Sequence, residues 1–341
     1  MVEPPDAPSR SEVELQECLG SMLRRFERTV GFAEGVVMAF DPDVLLPNAF
    51  AASREPGLDD ALVACRNEQL DQDFLKFRDL AVGRVPVGVA SRASDPRTRS
   101  SPRWQEILDV RGHGHELRAA LVDDSGQCWG ALNFMRETGR PFGERDLQLV
   151  RSEVRRGAAA IARAMVAGGA PAGNEMEPGS VWLDEAGAVV LASPAARQWL
   201  ELLDAQAYAG FTRALLAGLA MRMARDAAQD CAVRVKTADQ RWVRARAERL
   251  TSAAGRPQGV VVVIDAARAG SVLPLAARAY RLTGRELEVV RGVLNGLDTR
   301  SVATSLHIAE YTVQDHLKSV FDKVGVRSRR ELAHEFAVHL S

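Results

Sequence analysis

The spacing of hydrophobic positions changes several times along this chain, and each change marks an element. Val13, Leu15, Leu19, Met22, Leu23 and Phe26 fall on one broad side of a helix expected to start at an N-cap Ser11. A strand-like GVVMAFDP and a loop-rich middle follow. ELRAALVDD and QCWGALNFMRE then predict a hairpin turning at Ser125-Gly126. A long helix is expected from about Gly143 to Val166. Along it Leu147, Val150, Val154, Gly157, Ile161 and Ala164 alternate spacings of three and four. That pattern has two readings, the seam of a two-stranded coiled coil or a helix lying on its own sheet.

Downstream, SVWLDEAGAVVLAS predicts two short strands around a turn at Gly187, then helical PAARQWLELLD and FTRALLAGLAMRMARD. CAVRVKTA, WVRARAERL and GVVVVIDA predict three more strands. This describes a small α+β domain with one curved sheet, suited to a pocket or a dimer face. Two breaks divide the chain: AGGAPAGNEMEPGS (Ala167 to Ser180) and DAARAGSVLPLA (Asp265 to Ala276). Three blocks result, 11–166, 178–268 and 277–341, with no internal sequence repeat.

The last block is helical throughout and fully punctuated. Thr283 and Glu286 form a capping box, Asp298 caps a short helix, and Ser328 and Glu331 form a second box. Gly296 and Gly325 are placed to end helices in the left-handed conformation. The expected core is Leu287, Val290 and Leu294, then Ala303, Leu306 and Ile308, then Val313, Leu317 and Val320, closed by Gly325. A short helix, a tight turn and a longer helix is the arrangement that sets the second helix in a major groove.

Composition adds limits. The chain has 341 residues, 46% of them hydrophobic, enough for two or three domains, and a net charge of −1. Cys18, Cys65, Cys128 and Cys231 are scattered, without C-x-x-C or zinc-finger spacing, and suggest reduced thiols. The acidic, Pro-rich start and the lack of an apolar run of about twenty residues lead us to expect a cytoplasmic protein with no membrane partner.

LTGRELEVV and GLDTRSVATSLHIAEYTVQDHLKSVFDKVGVRSRREL carry a resemblance to the DNA-binding domain of LuxR-type bacterial transcription regulators. Among the matching positions are Leu282, Glu288, Val289, Thr312, His316, Lys323, Val326 and Arg329. One departure is Ala309, where the family opens its recognition helix with Ser or Thr, a cap worth about 1 kcal/mol. SPRWQEIL, GHGHELRAALVDDSGQCWGALNFMRE and PFGERDLQLV make the first block resemble a GAF sensor domain. VWLDEAGAVVLASPAARQWL makes the second resemble a PAS domain. The expected fold is therefore multidomain: an α+β GAF-like domain, an α+β PAS-like domain and an all-α four-helix helix-turn-helix domain.

With the apolar stripe inward, the outer face of the recognition helix would carry Tyr311, Gln314, Asp315 and Lys318. Gln pairs with adenine, Lys with guanine or phosphate, and Asp accepts from cytosine. Thr312, Arg300 and Arg329 are placed for phosphates, as the resemblance also implies. From Leu282 to Ser341 there are eight basic and eight acidic residues, so one copy should bind weakly. A homodimer on a two-fold-related operator is expected, with RNA polymerase as a further partner. An unidentified small-molecule effector in the GAF-like or PAS-like block would act by shifting the pairing of the 143–166 helix.

Ligand candidates are His113, His115, Arg118 and Trp129. The two histidines, two apart, would share one face of a strand as ligands for a metal or haem, or lie on a polar surface. Trp129 reads as core or pocket wall. The basic VRVK and RWVRARAER runs read as a solvated sheet face or an anion contact. We expect no catalytic residues, metal or cofactor. The alternative is a cysteine hydrolase using Cys128 in GQCWG, a stretch that imitates a nucleophile elbow but sits in a hairpin and lacks a matched base.

Overall fold

The computed structural model describes residues 10–167, 176–184, 187–204, 210–225, 231–237 and 241–337. The first domain runs α1 (Arg10–Thr29), β1 (Glu34–Asp41), β2 (Leu46–Ala52), α2 (Leu58–Gln69), α3 (Phe77–Val82) and β3 (Val87–Ser91). A 3-10 turn and a π turn then lead to β4 (His113–Val122), β5 (Cys128–Glu137) and α4 (Glu144–Val166). Ser11 lies within α1. The sheet is antiparallel in the order β2-β1-β5-β4-β3. Alternation along the strands gives it two apolar faces: Leu117, Leu121, Leu132 and Phe134 pack beneath α1 and α4, while Ala120, Ala131 and Phe40 turn the other way, towards Phe77 of α3.

The spacing along α4 is settled by this packing. Val150, Val154 and Ile161 are at most 4% exposed, and Ala158, Ala162 and Met165 are buried with them. That stripe is wider than a coiled-coil seam and is covered by α1 and the helix's own sheet. Gly157 permits the approach, because a Cβ there would lie 2.8 Å from the Met22 methyl. The helix-on-sheet reading holds, and a dimer seam along Leu147 to Ala164 is overturned.

The second domain comprises β6 (Gly179–Leu183), β7 (Val189–Ala192), α5 (Pro194–Asp204), α6 (Phe211–Arg225), β8 (Cys231–Lys236), β9 (Trp242–Thr251) and β10 (Pro257–Ala266). Its antiparallel order, β7-β6-β10-β9-β8, repeats that of the first sheet strand for strand. The topology is thus duplicated although the sequence shows no repeat. α6 is apolar almost all round because it is covered twice, by its own sheet and by α2 and β2 of the first domain. Gly218 allows this contact, since a Cβ there would sit 3.1 Å from Leu46 Cδ2.

The expected break at Asp265 to Ala276 is instead a buried helix, α7 (Ala269–Ala279). Its Val272, Leu273, Leu275 and Ala276 are at most 4% exposed. The apolar run outweighs the helix-breaking tendency of Gly270 and Pro274 once there is a core to enter. Arg234 in the VRVK run is likewise not solvated: it is 6% exposed and grips the fully buried Asp41 through Nε at 2.8 Å and Nη2 at 2.6 Å. Arg234 also reaches Asp43 and donates to the Ser271 carbonyl, and Arg278 at the end of α7 donates to Asp43 at 2.6 Å. The turn after β1 therefore ties both sheets to the helix that enters the last domain. That domain is α8 (Gly284–Leu294), α9 (Thr299–Leu306), α10 (Glu310–Val324) and α11 (Arg329–Ala337). Among the described residues no helix is long and apolar enough to cross a membrane.

Candidate functional site

The last domain is set by its caps and close approaches. Thr283 and Glu286 bond reciprocally, Thr283 N to Glu286 Oε2 at 2.6 Å and Glu286 N to Thr283 Oγ1 at 3.3 Å. Asp298 accepts from Ser301 N at 2.7 Å, and Ser328 accepts from Glu331 N at 3.1 Å. In that second box the Glu331 carboxylate reaches back to Arg327 N, one residue before the expected donor. The left-handed backbone falls at Gly296 and Gly325 as expected, and also at His307, which ends α9. Ala309 supplies no side-chain cap to α10.

Within the core, Val289 and Val290 are fully buried, with Leu287 and Leu294 half-buried at the flanks. α9 crosses α8 closely at Gly292, where a Cβ would lie 2.7 Å from Val302 Cγ2. Ala303, Val313, Leu317 and Val320 are buried, while Leu306 and Ile308 pack half-buried against them. The outer face of α10 then presents Tyr311 (73% exposed) with Gln314, Asp315 and Lys318, all exposed. Gln314 Nε2 donates to Thr299 Oγ1 at 3.1 Å, which holds the amide over the start of α9. Arg300 is exposed, and Thr312 is half-buried in the first turn of α10. Arg329 is half-buried and donates Nη1 to the Leu297 carbonyl at 3.1 Å, bracing α11 against the approach to α9.

Most acids of this domain are engaged by partners within it. Glu286, beyond its cap, accepts from Ser319 at 2.7 Å and from Lys323 at 2.6 and 2.8 Å. Burial pushes its carboxyl pKa up, but these partners outweigh that and bring it down to about 2. Sequence spacing found the cap and missed this tie, because Glu286 and Lys323 are distant along the chain. Glu335 accepts from Tyr280, Glu288 pairs with Arg285, and Asp298 and Glu331 are caps. Arg291, Arg300, Lys318, Arg327 and Arg330 stay exposed. The domain is neutral in sum, yet its acids are spent on structure more than its cations are.

A second site lies between the first two domains. A cavity of about 210 Å³ is lined by β1, the turn into β2, α2 and α6, with Met38, Phe40, Leu46, Phe211 and Leu215 among its walls. Arg118 on β4 and its cross-strand partner Asn133 on β5 line it. Arg118 is 2% exposed, stacks 3.8 Å over the Phe77 ring and donates Nη2 to Glu68 at 2.6 Å. Behind it Arg103 bridges Glu116 at 3.1 Å and Asp73 at 3.4 Å. Burial lowers the Arg103 pKa, and the two carboxylates more than restore it.

The other ligand candidates fall elsewhere. The strand register shifts between His113 and His115, so the two do not share a face. Nε2 of His113 is 3.5 Å from Glu34, a cavity residue, whereas His115 lies beside Arg136 and burial with that charge lowers its pKa. Among the described residues no group of three His, Cys, Asp or Glu could hold a metal. Trp129 is fully buried in the helix-side core and donates to Asp123 at 2.9 Å. Cys128 is 3% exposed, and burial pushes its thiol pKa up to about 12, which opposes a thiolate nucleophile.

Comparison with known proteins bears on the last domain. Residues 280–336 match the family described as bacterial regulatory proteins, luxR family. An HTH-type transcriptional regulator named for the exeN 3′ region of Aeromonas salmonicida is 43% identical over 60 residues, 18% of this chain and 31% of that protein. The nitrate/nitrite response regulator protein NarP of Escherichia coli is 42% identical over 48 residues, 14% of this chain and 22% of its own. The chain therefore spans less than a third of either relative. Among solved structures, Escherichia coli SdiA is similar at 13% identity and a TM-score of 0.33, over 95% of this chain and 90% of that one. A VqmA–ligand–DNA complex from Vibrio cholerae is similar at 15% identity and a TM-score of 0.24, over 48% and 84%. Such scores carry no inference about the first two domains. From the match and the capped four-helix geometry together, residues 280–336 are a helix-turn-helix domain of the luxR-family type.

Proposed function

We propose that the chain is a dimeric, sequence-specific transcription regulator whose DNA affinity is set by a small molecule held in the first domain. The observation that carries this reading is the exposed Tyr311, Gln314, Asp315 and Lys318 face on a helix whose other side is fully packed. Gln314 and Lys318 read base edges, Asp315 penalises every sequence that lacks a donor opposite it, and Arg300, Thr312 and Arg329 fix the backbone register. Near-neutral charge supports the dimer: a single module has too few free cations to hold DNA by counterion release alone. In this reading residues 11–166 are a GAF-like sensor, 178–268 a PAS-like domain, and RNA polymerase is met at the promoter.

The cavity is the effector site. Because α4 is packed on its own sheet, the signal travels through the turn after β1. Val44 and Leu45 of that turn line the cavity, while Asp43 holds Arg278 at the end of α7. Selection of bound fragments from a random DNA library, with full-length protein and with cell extract added, tests the reading. A palindromic site should be enriched; no enrichment under either condition overturns it.

A further inference from the structure

We propose that the cavity takes a small hydrophobic monocarboxylate, an anionic head on an apolar body of roughly ten to twelve non-hydrogen atoms. This rests on the reading of the cavity as the effector site. Size comes first: about 210 Å³ exceeds a benzene-holding cavity of about 150 Å³, leaving room for one ring or a short chain plus a head. Val36, Met38 and Phe40 of β1 and Phe211, Ala214 and Leu215 of α6 give the cavity an apolar wall, so the body is hydrocarbon.

The head is selected by Arg118. Its Nη2 is taken by Glu68, whose second oxygen accepts from Phe77 N at 3.1 Å, and its plane is fixed on the Phe77 ring. Nε and Nη1 have no hydrogen-bond partner among the described residues, and Glu116 Oε1 stands 3.9 Å from Nε, beyond hydrogen-bond reach. Guanidinium carries donors only, so a complementary ligand brings acceptors, and a planar carboxylate matches best. Sign agrees as well. Seven arginines and three carboxylates line the cavity, and cations stay in excess after Glu116 and Asp73 behind Arg103 are included. The arginine is oriented before the ligand arrives, which lowers the cost of binding.

Calorimetric titration of the full-length protein with octanoate and 3-phenylpropanoate, against octanamide and 3-phenylpropanamide, reads the preference without any mutation. The acids should bind about tenfold or more tighter than their amides. Arg118→Gln should erase that difference. Ala64→Phe, which fills the cavity from α2, should abolish binding of all four while circular dichroism stays native. Equal binding of acids and amides, or binding of none, overturns the proposal. Operator binding with and without cell extract separates the levels. If Ala64→Phe is blind to an extract that wild type senses but no acid is preferred, the ligand class falls and the site stands. If Ala64→Phe responds like wild type, the effector-site reading falls and takes this proposal with it.

Discussion

Glu286→Gln isolates the tie between α8 and the recognition helix. Glu286 is 4% exposed and its carboxylate bonds to Thr283 N, Ser319 and Lys323, with a pKa lowered from 4.5 to about 2. Each unit corresponds to about 1.4 kcal/mol, so the charged form contributes roughly 3.5 kcal/mol at most, less because Lys323 is partly solvated. The folded pKa lies below the unfolded one, so this stability is complete above pH 4.5 and is lost as pH falls towards 2. Gln keeps the shape and much of the capping box but not the charge. Hydrogen exchange of α8 and α10 amides in the full-length protein at pH 7 should show opening made easier by about 2 kcal/mol. Glu288→Gln is the control: its pair with Arg285 is exposed on both sides and should cost under about 0.5 kcal/mol. An unperturbed Glu286 titration near 4.5, with equal exchange in both variants, refutes the reasoning.

Further outcomes follow from the same contacts. Gln314→Ala should relax preference at one base step by about 1–3 kcal/mol, read by binding to a panel of single-base operator variants. Lys318→Ala should weaken binding and, if it meets a phosphate, reduce the slope of log affinity against log salt by about 1. Arg234→Met leaves Asp41 buried and uncompensated, costing about 3–5 kcal/mol. Thermal melting should show that loss, and Asp41→Asn in the same chain should recover part of it.

Legibility followed the range of the interactions. Caps and heptad-like spacings are local, so Thr283–Glu286, Asp298 and the inward Val313, Leu317 and Val320 could be read directly from spacing. The β4–β5 and β6–β7 hairpins were equally plain, but the stretch read as a loop-rich middle holds β2, α2, α3 and β3. What failed depended on neighbours far away in sequence. A three-four spacing on α4 looks the same whether α1 or a second copy covers it. Asp265 to Ala276 looks like a linker until its Val272 and Leu275 find a core. The histidine pair was misread because one bulge between His113 and His115 reverses the alternation on which the shared face depended. Of the four ligand candidates Arg118 alone lines the cavity, and α6, which closes it, sits in another domain.

The central claim is that two copies of the α10 face read one operator together. Its most direct test is the affinity and stoichiometry of full-length protein on the selected operator, against the same duplex with one half-site scrambled. Two protomers should occupy the intact site, and binding should weaken about a hundredfold once a half is lost. One protomer bound, with affinity unchanged by scrambling, would contradict it.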